Sequence, residues 1–216
     1  MKQFLYIFTL LFTLLSCKKV VKSNEIVFSN PTEIIQDSII KKPNSFAEKL
    51  SNAVISIIDD KIVYTPSYVA IKYPNGDVPS KTGVCTDVII RAYRKLGIDL
   101  QKEVHEDMKA NFFKYRKTWG LTKTDTNIDH RRVPNLEVFF ERKGEKLIAS
   151  QNASDYKTGD LITWMINGKL PHIGIVTHLK SDDGKRNLIV HNVGGGQILQ
   201  DCLFSYEIVG HYRYEK

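Results

Sequence analysis

Cys85 stands in Gly83-Val84-Cys85-Thr86-Asp87-Val88, and the residues after it are patterned as a helix. Val88, Ile89, Ala92, Tyr93 and Leu96 recur at helical spacing and give it one apolar face. Gly97 is a C-terminal stop signal. A cysteine in the first turn of such a helix meets unpaired backbone N–H groups and the positive end of the helix dipole. Both favour an anion, and a thiolate is one, so Cys85 is a candidate nucleophile. The same placement suits a small buried hydrophobe that starts a core helix.

A cysteine nucleophile needs a base, and the base needs an orienting partner. Histidine is the natural base near neutral pH. His172 precedes Ile173-Gly174-Ile175-Val176, and His191 follows Leu188-Ile189-Val190, both strand-like contexts. Adjacent antiparallel strands would bring the two imidazoles to one end of a sheet, subject to register. Cys85, His172 and His191 are also zinc-ligand types, but no close-spaced ligand pair supports a metal, and no cofactor is expected. Asp129, His130, Arg131 and Arg132 form a polar cluster that suits either a grip on a substrate carboxylate or an ion-pair network under a loop. Asp87 either opposes the thiolate by like charge or serves as a first-turn acid. His105, His178 and His211 read as surface or satisfied core histidines, and Trp119 and Trp164 as core.

These residues need elements to hold them. Ser45 and Glu48 form a capping-box pattern ahead of Leu50, Val54, Ile57 and Ile58. Residues 62–64 and 68–71 read as short extended pieces, followed by turn-rich stretches around Asn75-Gly76 and Pro79-Ser80. A second helix is expected from about Gln101 to Trp119, and a third from Pro134 to Lys143, ended by Gly144. From Asp160 onward the pattern is of strands: 161–166, 173–179, 188–190 and a last strand or pair ending at 209–214. Gly194-Gly195-Gly196 is a glycine turn, since no Lys-Ser/Thr follows to make a phosphate loop. Helices followed by antiparallel strands predict an α+β fold, with neither internal repeats nor a second domain.

The 216-residue chain carries 31 basic and 24 acidic residues, a formal charge of +7. Basic runs and stacking-aromatic motifs are missing, so no nucleic-acid partner is expected. Met1-Lys2-Gln3 precedes an apolar run from Phe4 to Leu15, a secretory signal too short for a comfortable membrane span. Leu14-Leu15-Ser16-Cys17 resembles a bacterial lipobox, which implies cleavage before Cys17 and lipid on its thiol. Lys18-Lys19 follow without an aspartate retention signal, pointing to the outer membrane of the bacterial envelope. Residues 1–16 are thus read as signal peptide, 17–44 as a lipidated tether and 45–216 as the folded domain. Cys85 and Cys202 then remain, and an exported chain leaves a Cys85–Cys202 disulfide open as the alternative to a free nucleophile.

Tyr73-Pro74-Asn75-Gly76, Val84-Cys85-Thr86, Gly159-Asp160-Leu161, His172-Ile173-Gly174-Ile175 and Val190-His191 resemble the successive motifs of NlpC-type papain-like cysteine peptidases. The resemblance spans roughly residues 64–214. Within that clan the chain looks closer still to an uncharacterised bacterial group, which the Asn127–Arg132 cluster and Gly210-His211-Tyr212-Arg213-Tyr214 resemble. The resemblance implies a papain-like NlpC-type fold with Cys85 as nucleophile and His172 as general base. It implies His191 as the orienting residue, with Asn192 as the competing choice, and Tyr73 as a tyrosine that helps the oxyanion site. Val84, Thr86 and Asp87 depart from the family pattern of aspartate before the cysteine and serine-glycine after it. The function so implied is an envelope-anchored amidase or endopeptidase acting on peptidoglycan. The alternatives are an acyltransferase using the same nucleophile, or a non-catalytic lipoprotein that binds wall peptides or a protein partner.

Overall fold

The computed structural model describes residues 38–115 and 120–216. The leader and the lipidation position Cys17 lie outside the described residues, as does Trp119. The first helix, α1 (Phe46–Ile55), begins as its sequence predicts. The Ser45 hydroxyl accepts the Glu48 N–H at 3.1 Å and the Glu48 carboxylate accepts the Ser45 N–H at 3.3 Å. Two short strands, β1 (Val63–Tyr64) and β2 (Thr82–Gly83), pair in parallel and lead into α2 (Cys85–Lys95). Residues 68–71 form no strand.

Helix α3 (Leu100–Ala110) ends well before the expected Trp119. Asn111 stops it, with its side-chain amide donating to the Asp107 carbonyl at 3.1 Å. Phe112–Lys114 turns as a 3₁₀ helix, and Tyr115 is buried with its hydroxyl on Asp107. A further 3₁₀ turn, Asp129–Arg131, precedes α4 (Val133–Lys143).

The sheet comprises β3 (Glu145–Lys146), β4 (Leu161–Ile166), β5 (Leu170–Lys180), β6 (Asn187–His191), β7 (Ile198–Gln200) and β8 (Glu207–Arg213). Its order is β3-β8-β4-β5-β6-β7, and each of these pairings is antiparallel. The fold is α+β, as the sequence pattern predicts. Helices α1 and α2 pack on β5. Strand alternation turns Ile173 and Ile175 toward them, into a core shared with Leu50, Val54, Val88, Ile89 and Tyr93. The opposite face carries a smaller cluster of Trp164, Ile162, Val176, Ile189 and Cys202. Trp164 is fully buried, and its indole donates to the Leu203 carbonyl at 3.0 Å. Among the described residues, no helix is long and apolar enough to cross a membrane.

Two motifs distant in sequence meet in this frame. Asp160 is buried between His211 Nε2, 2.7 Å away, and the Arg213 guanidinium, at 2.9 and 2.8 Å. That latch ties β4 to β8 and explains both motifs by folding rather than by chemistry. His105 and His178 are satisfied in the same way, by Asp129 and by Ser51.

Candidate active site

Local backbone logic places Cys85. Val84 is extended (φ −123°), so the chain leaves β2 straight and Cys85 becomes the first residue of α2. Asp87 accepts the Val84 N–H at 2.7 Å and so completes the helix start. It also receives Arg131 in a two-pronged pair, 3.0 Å at each contact, with both side chains buried. Strand β6 ends level with Gly174, and just beyond that point the backbone N–H of Ile173 favours the Cys85 thiolate. The amides of Thr86 and of Cys85 itself act in the same direction. Burial outweighs them: Cys85 is 4% exposed, and its thiol is pushed up to about 12, with the Asp87 charge adding to the rise. The resting sulfur is therefore a protonated thiol.

Register brings the two histidines together. Gly174 pairs with His191, which places His172 and His191 diagonally on one face of adjacent strands. The absent side chain at 174 makes the approach possible. A Cβ there would lie 2.7 Å from Ile189 Cγ2 and 3.2 Å from His191 Cβ. His172 Nε2 and His191 Nδ1 are 2.8 Å apart, and His191 Nε2 is 2.9 Å from Gln200 Oε1 on β7. Burial lowers the His172 pKa to about 3, helped by His191, and lowers that of His191 against the pull of Gln200. Both rings are neutral at pH 7. Nδ1 is the His172 nitrogen not used by His191. Among the described residues no hydrogen bond joins it to the Cys85 sulfur, which lies beside the next residue's amide.

The mouth is a depression of about 140 Å³ lined in part by Tyr64, Cys85, Arg131, Arg132, Leu170 and Pro171. Tyr73, the tyrosine that the resemblance implies for the oxyanion site, is not among its walls. Its ring packs edge-on against His105, at 5.4 Å between centroids. Asp99 and Gln101 hold that loop to the start of α3 by accepting the N–H groups of Asn75 and Gly76. Tyr64 occupies the mouth instead. The β1–β2 pairing sets it opposite Gly83, and burial pushes its phenol up to about 12, with the Asp87 charge adding to the rise. At neutral pH it is a hydroxyl donor. No sequence motif marks it; its one signal is a β-prone Val-Tyr pair upstream of the cysteine.

The remaining candidates separate. Arg131 borders the mouth but is committed to Asp87. Asp129 is fully buried, accepting from His105 Nδ1 at 2.9 Å and the Asp125 N–H at 2.8 Å. His130 is buried too, with its pKa lowered to about 3 by burial and then by Arg131. Those two brace the loop and do not line the mouth. Asn192 accepts the Gly194 N–H at 3.0 Å and shapes the glycine turn, while His191 takes the contact to His172. Gln200 is a member of the arrangement that the sequence reading missed. Cys85 and Cys202 are both free, so the disulfide alternative is not realised. No group of three or more His, Cys, Asp or Glu side chains is placed to share an ion among the described residues.

Fold and site define an α+β protein with a buried cysteine at a helix N-terminus and a hydrogen-bonded histidine pair on the neighbouring strands. The chain belongs to the DUF1287 family, described as a domain of unknown function, whose profile matches residues 51–214. It is 49% identical over 157 residues to the uncharacterized protein YijF of Escherichia coli (strain K12), covering 73% of this chain and 76% of that one. Two crystal structures of an N-acetylmuramoyl-L-alanine amidase from Bacteroides uniformis ATCC 8492 align over 79% of this chain and 99% of theirs. Their TM-scores are 0.47 and 0.46 at 14% and 15% identity, a likeness that carries no argument about activity.

Proposed function

We propose that this protein is a papain-like cysteine amide hydrolase, lipid-anchored at Cys17 in the bacterial envelope and acting on peptide or amide bonds of peptidoglycan. The observation that carries the reading is the His172–His191 pair beside the amide that faces the Cys85 sulfur. A thiol, a neutral imidazole and a second imidazole that orients it are the parts acyl transfer needs. The leader sequence supports the location, and the location supports the substrate.

Substrate binding at the mouth brings the carbonyl carbon to the sulfur. The thiol proton passes to His172 Nδ1 as the S–C bond forms, so no standing thiolate is needed. The oxyanion is held by the Cys85 N–H and the Tyr64 hydroxyl, donors of a kind each contributing roughly 10²–10³ in rate. His172 returns its proton to the departing amine. Water, deprotonated by the same nitrogen, then attacks the thioester; the C–S bond breaks, His172 returns the proton to the departing sulfur, and the acid is freed.

Muropeptide analysis after digestion of purified sacculi tests this. The wild type should release new products, and Cys85→Ala none. No products from the wild type, or equal products from both, would overturn it.

A further inference from the structure

We propose that Gln200 is a positioning residue that sets the tautomers of both histidines and so makes His172 Nδ1 the base. This inference rests on the reading of Cys85, His172 and His191 as the reacting set. Gln200 sits on β7, whose pairing with β6 sets Ile189 opposite Gln200 and His191 opposite Ile198. Its side-chain oxygen, not its nitrogen, is turned to His191 Nε2 at 2.9 Å. A carbonyl oxygen only accepts, so Nε2 of His191 carries the hydrogen. A neutral imidazole has one N–H, so His191 Nδ1 holds a lone pair. That lone pair, 2.8 Å away, accepts from His172 Nε2–H. By the same count His172 Nδ1 is left with its lone pair free.

Turning the amide over reverses every step. An NH₂ group would donate to His191 Nε2, move that ring's hydrogen to Nδ1, and place the His172 hydrogen on Nδ1. A protonated Nδ1 on a neutral ring cannot take the proton of the thiol. The orientation of one amide on a short strand thus decides whether the buried pair works as a base. Burial keeps both rings neutral at pH 7, the state in which tautomer choice matters.

Long-range proton–nitrogen spectra of the ¹⁵N-labelled full chain in detergent, at neutral pH, distinguish ring nitrogens that carry hydrogen from those that do not. The expected wild-type result is hydrogen on Nε2 of both His172 and His191. Gln200→Glu keeps an acceptor and should keep both tautomers. Gln200→Leu removes it and should give mixed tautomers. In that variant kcat should fall about tenfold, the scale of one hydrogen bond, with KM within about twofold. Hydrogen on Nδ1 of wild-type His172, or unchanged tautomers in Gln200→Leu, would overturn the proposal. Should Gln200→Leu not fold, the wild-type and Gln200→Glu spectra decide alone. Should no form release product, the hydrolase reading falls while the spectra still judge Gln200.

Discussion

Cys85 and Cys202 are both buried, both free, and both pushed up to about 12 by burial. Resting acidity does not distinguish them; their neighbours do. Cys202 lies in the small cluster with Trp164, Tyr156 and Leu203, where the charge of Asp201 raises its pKa further. Cys85 has three backbone amides that favour its thiolate, and a neutral histidine one residue from the nearest strand amide. On the proposed reading, Cys85 acts as a nucleophile through a route for its proton and a hold on the product charge, not through a thiol that is ionised beforehand.

Removing each sulfur in turn separates the two cysteines most strongly. Cys85→Ala should lower release of muropeptides by more than about 10³-fold, as loss of a nucleophile does. Cys202→Ala should leave the rate within about twofold and cost about 1 kcal/mol of unfolding free energy, read by urea denaturation, for the small cavity it opens. An equal loss of activity in both would erase the distinction.

The next effect concerns the charge beside Cys85. Arg131→Ala leaves the Asp87 carboxylate buried and uncompensated, where breaking such a pair costs about 3–5 kcal/mol. Alkylation of Cys85 should slow as well, because the naked charge opposes the thiolate, while Cys202 labelling stays as it was. The double variant Asp87→Asn with Arg131→Leu should recover part of both losses. Tryptic mapping after timed alkylation, together with urea midpoints, reads the two effects.

A third measurement reads whether His172, the proposed base, is neutral at rest. His172 and His130 each have a folded pKa lowered to about 3, against an unfolded value of about 6.5. The unfolded chain therefore takes up protons that the folded one refuses. Their contribution is fully present above about pH 6.5 and is lost as pH falls toward about 3. Within that window each contributes a slope of up to about 1.4 kcal/mol per pH unit. Urea midpoints should drop steadily from pH 7 to pH 4, and His172→Gln should flatten the curve. A flat wild-type curve would mean that the rings are already charged.

Much of this site was legible because its parts obey local rules. The apolar spacing of Val88, Ile89, Ala92 and Tyr93 fixes the helix that starts at Cys85, and all of them are buried. Alternation around His172 and His191 marks two strands, and antiparallel pairing follows from their short connection. What was missed depends on contacts without periodicity. Tyr64 reaches the mouth through a two-residue strand pair, while the Asn75 and Gly76 N–H groups, donating to Asp99 and Gln101, hold the loop that sets Tyr73 against His105. Gln200 lies on a three-residue strand that follows a glycine turn, where nothing in the sequence fixes register. The end of α3 was missed because Met108, Phe112 and Tyr115 continue an apolar stripe past the Asn111 cap.

The smallest expected effect is the most specific to the geometry. Gly174 has an ordinary β conformation, so its role is room and not backbone freedom. An added Cβ would meet Ile189 Cγ2 at 2.7 Å, Val190 O at 3.1 Å and His191 Cβ at 3.2 Å. The Ile189 methyl can rotate away, but His191 Cβ and the Val190 carbonyl are fixed to the β6 backbone. Relief must come from moving β6 outward, which lengthens the contact between His191 and His172. Gly174→Ala should cost about 1–3 kcal/mol in stability through overpacking. It should also lower kcat roughly tenfold, as loss of one aligned hydrogen bond does, and shrink the preference of a substrate-like electrophile for Cys85 over Cys202. Gly195→Ala is the matched control, since a Cβ there meets only Ile198 Cδ1 at 3.7 Å. If both glycine variants kept full activity, the histidine pair would not depend on its spacing, and proton transfer from Cys85 would have to be assigned to another group.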